Sequence, residues 1–243
     1  MASVNQAPRL YRGISPSERR AQRRERLLEA GLQLFGTDGY ADSSIRAVCK
    51  QASLNSRYFY ESFSSREDLL YHVYAETVRA VATEVIEVTA REKTIKNQAR
   101  AGLRAAWTIL TEDPRKAKVI FLEVVGVSER LERLRRDNMH AFADLIVQNS
   151  RRITGRAVQM RLDPVLTARS LMGAVVDTQV DWINGDVSAS VEEIVEHFTE
   201  LFTVAAYASV VDVAAICKPA ANRAAGLGRT AASPVDDASA DPE

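Results

Sequence analysis

Repeated helix-start signals, each followed by an apolar stripe of helical period, most constrain the fold of this 243-residue chain. Each signal is a capping Ser or Asp with a proline at the first helical position, an acid at the third, or both. These signals begin at Ser15, Ser65, Asp113, Asp163 and Ser190. The apolar residues that follow recur every three or four positions, which predicts amphipathic helices. The sequence therefore predicts an all-α protein of about nine helices.

Composition agrees with this prediction. Hydrophobic residues make up 46% of the chain and charged residues 26%, as in ordinary folded proteins, and there are only 11 Gly and 7 Pro. No apolar run approaches the roughly 20 residues that a membrane-spanning helix needs, so no membrane contact is expected. The first twelve residues contain no apolar signal segment. We therefore expect a cytoplasmic protein.

Charge is distributed unevenly, although the formal net charge is zero. Residues 9–57 contain ten Lys or Arg and five Asp or Glu, which favours contact between this end and a polyanion. A solvated helix face with salt bridges explains the charge alone equally well.

Residues 218–243 differ in composition from the rest of the chain. They are rich in Ala, Gly, Pro, Ser and Asp and have no apolar periodicity, which predicts a disordered tail.

The segment near residues 44–62 has the spacing of a helix-turn-helix. Such a motif needs a small residue where the helices cross, a small or flexible residue in the turn and an apolar residue that returns to the core. Cys49, Ser53 and Phe59 stand at these three positions. Other helical hairpins share this spacing, so the neighbouring polar residues must support the assignment.

Polar and aromatic residues around this spacing are the candidate DNA contacts. Arg57 can bind a guanine edge or a phosphate through its planar guanidinium, and the Tyr60 hydroxyl can donate to a phosphate. The full candidate set is Ser44, Asn55, Ser56, Arg57, Tyr58, Tyr60 and Arg66. Core packing is an equal alternative for Tyr58. Arg9 and Arg12, in a flexible basic arm at 1–14, could enter a minor groove or remain in solvent.

The stretch from Arg26 to Leu70 resembles the N-terminal domain of TetR-family regulators. The matching residues are Leu28, Ala30, Leu34-Phe35, Gly39-Tyr40, Ser44-Ile45, Val48, Ala52, Leu54, Tyr60, Phe63, Ser65-Arg66-Glu67 and Leu69-Leu70. The resemblance implies a helix-turn-helix domain at 15–64 and a helical effector-binding and dimerisation domain at 65–217. It also implies a homodimer built from the eighth and ninth helices, and a palindromic operator bound in successive major grooves.

The same resemblance assigns roles to the candidate DNA contacts. Tyr60 and Arg66 would hold phosphates, and Ser44 would contact the DNA backbone. Ser56, Arg57 and Tyr58 would face the bases. The family usually has Ala at Cys49, Gly at Ser53 and a Gly-Thr pair at Arg57-Tyr58. The bulky Arg57 and Tyr58 predict a different operator sequence from the common one.

The resemblance also implies a small effector bound among the later helices, and the apolar stripes there favour an apolar one. The candidate pocket residues are Trp107, Phe121, Glu123, Phe142, Asp177 and Trp182, with Met139, Gln179 and Asp181 as further members. Core packing is the alternative for the aromatic residues. Glu123 lies in an otherwise apolar run, and a buried carboxylate needs a ligand or a structural partner such as Arg104.

Catalytic motifs are not recognisable in the sequence. It shows no Gly-rich phosphate loop, no metal-ligand spacing and no nucleophile with a base. We therefore predict no cofactor, no metal, no catalytic residue and no enzymatic activity.

The function predicted from the sequence as a whole is that of a ligand-responsive transcriptional repressor. The alternatives are an activator of the same family, a helical ligand carrier or enzyme, and an adaptor that binds protein through its basic end; salt-sensitive DNA binding distinguishes a regulator from the latter two classes.

Overall fold

The computed structural model describes residues 15–154 and 162–210, and these residues form nine α-helices and no strand. The helices are α1 (Pro16–Thr37), α2 (Ile45–Gln51), α3 (Ser56–Tyr60), α4 (Arg66–Arg91), α5 (Ile95–Glu112), α6 (Pro114–Lys118), α7 (Glu129–Thr154), α8 (Pro164–Asn184) and α9 (Val191–Val210). The all-α prediction is confirmed. The expected arm at 1–14 and tail at 218–243 lie outside the described residues. No described helix is long and apolar enough to cross a membrane.

The predicted helix starts are formed by the predicted caps. At α1 the Ser15 hydroxyl accepts from the Glu18 N–H at 3.1 Å, and the Glu18 carboxylate accepts from the Ser15 N–H at 2.7 Å. Hydrogen bonding to the carboxylate by the Ser15 N–H, and to a lesser extent by the Ser15 hydroxyl, favours the charged form and lowers the pKa of Glu18. Asp113 and Asp163, each followed by proline, cap α6 and α8 by accepting from the Arg115 N–H and the Leu166 N–H. Local capping therefore sets where these helices begin.

The two larger apolar clusters hold most of the helices together, and a smaller one joins α7 to α8. The first joins α1, α2 and α3 to α4 and to the residues after α6, and it fully buries Leu27, Phe35, Phe59, Leu69 and Val119. The second lies between α5, α8 and α9 around Trp107 and Phe198. Because α4 contributes to the first cluster along much of its length, it connects the helix-turn-helix with the body of the protein.

The apolar run at 119–127 is only partly helical. α6 ends at Lys118, a π-helical turn follows over Val119–Glu123, and Gly126 then takes a φ of 73°. A π turn encloses one residue more than an α turn, so it rotates the side chains that follow it. Turns of this kind are frequent at functional positions, and this one contains Phe121 and Glu123.

The junction between the DNA-binding helices and the body is formed by α1 against α6. The Arg115 guanidinium donates to Glu29 at 2.9 Å and to Gln33 at 2.6 Å on α1. It also forms a two-bond pair with Asp113, at 2.8 Å for each bond, which lowers the pKa of that carboxyl. Gly36 lets the two backbones approach, since a Cβ there would lie 2.4 Å from the Arg115 Cβ.

Candidate DNA-binding site and effector cavity

The helix-turn-helix forms as the spacing predicts. Val48 and Phe59 are fully buried, and Cys49 lies nearly buried where α2 and α3 meet. The Leu54 N–H donates to the Cys49 carbonyl at 2.9 Å, which closes the turn. Burial in this apolar setting raises the pKa of the Cys49 thiol, so the residue remains a small neutral packing group.

The turn contains a strained residue. Ser53 has a φ of 51°, and it is the one residue other than glycine with positive φ among the described residues. An L side chain in this left-handed conformation costs about 1–2 kcal/mol. The backbone at this position thus adopts a conformation that favours glycine, although the residue is serine. Strain is expected because the serine stands where the family usually has glycine.

Replacing Ser53 with glycine is expected to raise the free energy of unfolding by about 0.5–1 kcal/mol, because relief of the strain exceeds the entropy that glycine adds to the unfolded chain. Urea unfolding followed by circular dichroism measures the change. Ser56→Gly, in the helical α3, is the control and should lower stability instead. Equal effects at the two serines would contradict the assignment of strain to Ser53.

Three candidate DNA contacts on α3 face solvent. Ser56 and Arg57 are exposed, and 84% of the Arg57 side chain is accessible. Its Nε lies 3.3 Å from the Glu61 carboxylate, a surface ion pair that DNA phosphate or a base can replace at small cost. Tyr60 is 60% exposed and rests its ring edge-on against Phe59. These side chains share the surface of the second helix of the motif.

Ser44, Asn55 and Tyr58 have local structural roles as well. The Ser44 hydroxyl accepts from the Ala47 N–H at 3.1 Å and the Asn55 side chain accepts from the Tyr58 N–H at 3.2 Å, so both cap their helices. Tyr58 is half-buried, and the Arg23 guanidinium lies over its ring at 4.4 Å. Tyr58 therefore both packs on α1 and keeps part of its ring accessible.

Arg66 is placed differently from the other candidates. Its guanidinium donates to the carbonyls of Ser43 and Ala41, in the loop just before α2, and it lies 4.1 Å over the Tyr40 ring. It is only partly accessible. Arg66 thus positions the loop from which α2 starts, and its phosphate contact stays a prediction.

The body contains an apolar cavity of about 220 Å³ between α4, α5, α7, α8 and α9. Its walls are mainly aliphatic, with Val78, Val81 and Val85 on α4 and Leu171 and Val175 on α8. The lining runs from Tyr74 to Thr89 along α4 and from Pro164 to Gln179 along α8. At 1.5 Å per residue, each stretch is about 22 Å long, so the cavity is elongated.

Only part of the predicted pocket set lines this cavity. Phe121 and Phe142 do, together with Met139 and Gln179 from the wider set. Trp107 is buried beside the cavity, where its ring meets Trp182 edge-on at 5.4 Å, so both tryptophans belong to the core. Asp177 is on the solvent side of α8, because it stands two residues from the buried Val175 and Gln179.

Glu123 is not a cavity residue either. Its carboxylate accepts from the Tyr40 N–H at 2.7 Å and lies beside Gly39, at the end of α1. The partner considered in the sequence analysis, Arg104, instead pairs with Glu192 on α9. A carboxylate within an apolar run thus does find a structural partner, and that partner belongs to the DNA-binding domain.

Several polar lining residues were missed in the sequence. Gln98 donates to the Thr89 carbonyl at 3.2 Å and Asn149 donates to the Thr89 hydroxyl at 3.4 Å, which forms one polar cluster. At another position Tyr74 pairs with Asn138, and burial raises the pKa of the tyrosine to about 12. In the sequence, each of these lining residues could have been recognised as a polar residue within an apolar helical stripe. Among the described residues no His, Cys, Asp and Glu group could hold a metal.

Comparison with known proteins agrees with this architecture. Residues 27–73 match the family model described as bacterial regulatory proteins, tetR family. This segment is a tetR-family DNA-binding region. The matched residues contain all of α2 and α3 and the beginning of α4, so they include the helix-turn-helix described above.

Similar proteins extend the likeness beyond the DNA-binding domain. The fatty acid metabolism regulator protein of Bacillus subtilis is 18% identical over 164 residues, covering 66% of this regulator and 83% of the relative. The fatty acid degradation regulator FadR from Bacillus halodurans aligns with a TM-score of 0.66 at 16% identity, over 74% of this chain and 94% of that one.

A second similar structure contains a ligand. It is the transcriptional regulator FadR from Bacillus subtilis in complex with stearoyl-CoA, with a TM-score of 0.66 and 18% identity. The alignment covers 73% of this chain and 96% of that one. At these identities the structural likeness shows a shared fold.

Proposed function

We propose that this regulator binds a palindromic operator as a homodimer in the cytoplasm, represses transcription and is released by an apolar effector. One observation carries the proposal: α4 both supports the helix-turn-helix and lines the cavity. Leu69 and Leu70 belong to the same apolar core as the buried residues of α1, α2 and α3. Further along α4, Val78, Val81 and Val85 line the cavity. A ligand that displaces α4 would therefore change the position of the recognition helix, and its binding would be linked to DNA affinity.

A long acyl chain, delivered as a coenzyme A thioester, is the effector class that we propose. The cavity supports this class through its elongated shape and aliphatic walls, which offer an alkyl chain favourable burial. The relatives named above support it independently, since two are fatty acid regulators by name and one was solved with stearoyl-CoA.

A second copy of the chain is the partner that we propose for α8 and α9. Leu166 on α8 and Leu201, Val204 and Tyr207 on α9 are large apolar side chains exposed to solvent, Val204 to 61%. Exposed apolar clusters of this kind mark protein interfaces. Pairing two helices from each copy would form a four-helix interface and would separate the two recognition helices by one turn of DNA.

Operator selection tests the proposed DNA contacts. Purified protein should enrich genomic fragments that share a palindrome, and binding to them should weaken steeply with salt. On the selected site Arg57→Ala should cost about 1–3 kcal/mol if Arg57 contacts a base, whereas Tyr60→Phe should weaken binding to all sequences. Arg79→Ala is the control, because it removes one exposed positive charge from α4, outside the motif.

The outcomes of that selection are distinct. Loss of affinity in Arg57→Ala and not in Arg79→Ala would support α3 as the recognition helix. Equal losses would indicate a general charge effect, and unchanged binding in both Arg57→Ala and Tyr60→Phe would contradict the assignment. A reporter gene behind the selected operator then separates repression from activation, since deletion of the regulator raises expression only in the first case.

A further inference from the structure

Gln179 is a polar residue in an apolar place. It lies on α8, it is 5% exposed, and it lines the cavity with Met172, Val175 and Val176 from the same helix. Within residues 15–154 and 162–210 its amide forms no hydrogen bond, and it is open to the cavity, unlike the fully enclosed Trp107 Nε1. Burying an amide without a partner is unfavourable, because the hydrogen bonds that water gave it are lost. Such a group in a binding cavity is suited to a ligand atom.

The other polar side chains of the cavity contrast with Gln179, because their hydrogen bonds are already made within the protein. Gln98 and Asn149 bond to Thr89, Asn138 donates to the Leu134 carbonyl at 2.9 Å, and Thr167 donates to Asp163. They complete the cavity wall without requiring a ligand. Gln179 therefore differs from these cavity-lining side chains in having an amide that is not bonded within the described residues, and Trp107 Nε1, buried beside the cavity, also has no partner there.

Gln179 stands at the end of the cavity nearer to the DNA-binding helices. Ile183, one turn further along α8, packs on the core that contains Val119 and Ile120. The Thr89 cluster lies at the opposite end of α4 from the helix-turn-helix. On α8, Gln179 is twelve residues from Thr167, which corresponds to about 18 Å. A ligand filling the cavity would thus pass from a polar end, through aliphatic walls, to the Gln179 amide.

We propose that Gln179 hydrogen-bonds an oxygen carried on the effector, remote from its thioester end. The effector is then an oxygenated lipid, with a hydroxyl or a ketone on its apolar part, and not a plain alkyl chain. This inference rests on the proposed effector site. The preference for an oxygenated effector follows from the amide chemistry, since a hydroxyl or a carbonyl can form a hydrogen bond with the Gln179 amide and a methylene cannot.

Matched ligands and a nearly isosteric variant test the proposal. The full-length protein is titrated calorimetrically with stearoyl-CoA and with hydroxystearoyl-CoA isomers whose hydroxyl is moved along the distal part of the chain. We expect wild type to bind at least one isomer about tenfold more tightly than stearoyl-CoA. Gln179→Met should abolish that preference and bind stearoyl-CoA more tightly, because it removes the unpaired amide and keeps the side-chain length.

Gln98→Met is the control, since it makes the same change at an amide already bonded within the protein, and it should retain the hydroxyl preference. Circular dichroism checks that both variants fold. Equal affinity of wild type for plain and hydroxylated chains, or an unchanged preference in Gln179→Met, would overturn this inference and leave the proposed acyl site standing. Binding of neither ligand class would overturn the proposed acyl effector as well.

Discussion

Gly36→Ala is expected to lower the free energy of unfolding by about 2–3 kcal/mol, although alanine favours helices more than glycine. The added Cβ would lie 2.4 Å from the Arg115 Cβ and 2.6 Å from its Cα. Because the obstructing atoms include backbone, a side-chain rotation cannot relieve the clash. α1 must move away from α6, which also strains the hydrogen bonds from Arg115 to Glu29 and Gln33. Urea unfolding measures the loss.

Gly31→Ala provides the comparison on the same helix. A Cβ at Gly31 would meet the ends of the Leu69 and Val73 side chains at 3.1 Å, and these can shift by a few tenths of an ångström. We expect its effect to stay below about 1 kcal/mol, since the gain in helix propensity offsets the crowding. Similar stabilities for the two alanine variants would contradict the close packing of α1 on α6.

Val204→Glu should raise the dissociation constant of the proposed dimer by at least about a hundredfold, and operator binding should fail with it. Val204 lies in the middle of the exposed apolar set on α9, between Leu201 and Tyr207. In a symmetric interface the substitution places an unpaired carboxylate on each copy, without a cation to compensate its desolvation. Sedimentation velocity over a concentration series measures the dissociation.

Ile86→Glu is the matched control for that experiment. Ile86 is also a large exposed apolar residue, at 50%, but it lies on α4 and outside the proposed interface. It should sediment like wild type. Dimers of unchanged affinity in Val204→Glu, or dissociation only in Ile86→Glu, would place the interface on another surface of the chain.

The helical framework could be predicted from sequence because its signals are local. A cap and its first-turn partner lie three residues apart, as in Ser15 with Glu18, so the sequence itself holds both members of the interaction. The turn at 52–55 was likewise predictable from the spacing of Cys49, Ser53 and Phe59. The π-helical turn at 119–123 was not, since an apolar run has no local feature that distinguishes π from α geometry.

The cavity was harder to predict because its walls come from five helices that are distant in sequence. Trp107 and Trp182 are typical of a pocket by composition, yet they pack on each other across α5 and α8. Glu123 finds its partner 83 residues away, at Tyr40. Such pairings depend on how the helices cross, which sequence periodicity does not specify. The unmatched amide of Gln179 became recognisable only once its neighbours were known.

The most direct test of the account is displacement of the regulator from its operator by an acyl thioester. The complex with a selected operator is titrated with stearoyl-CoA while fluorescence anisotropy of labelled DNA reports the bound fraction. Release is expected as the ligand saturates one site per chain, and free coenzyme A, which lacks the acyl chain, should release nothing. Stoichiometric binding of stearoyl-CoA without any change in DNA affinity would contradict the link between the cavity and the helix-turn-helix.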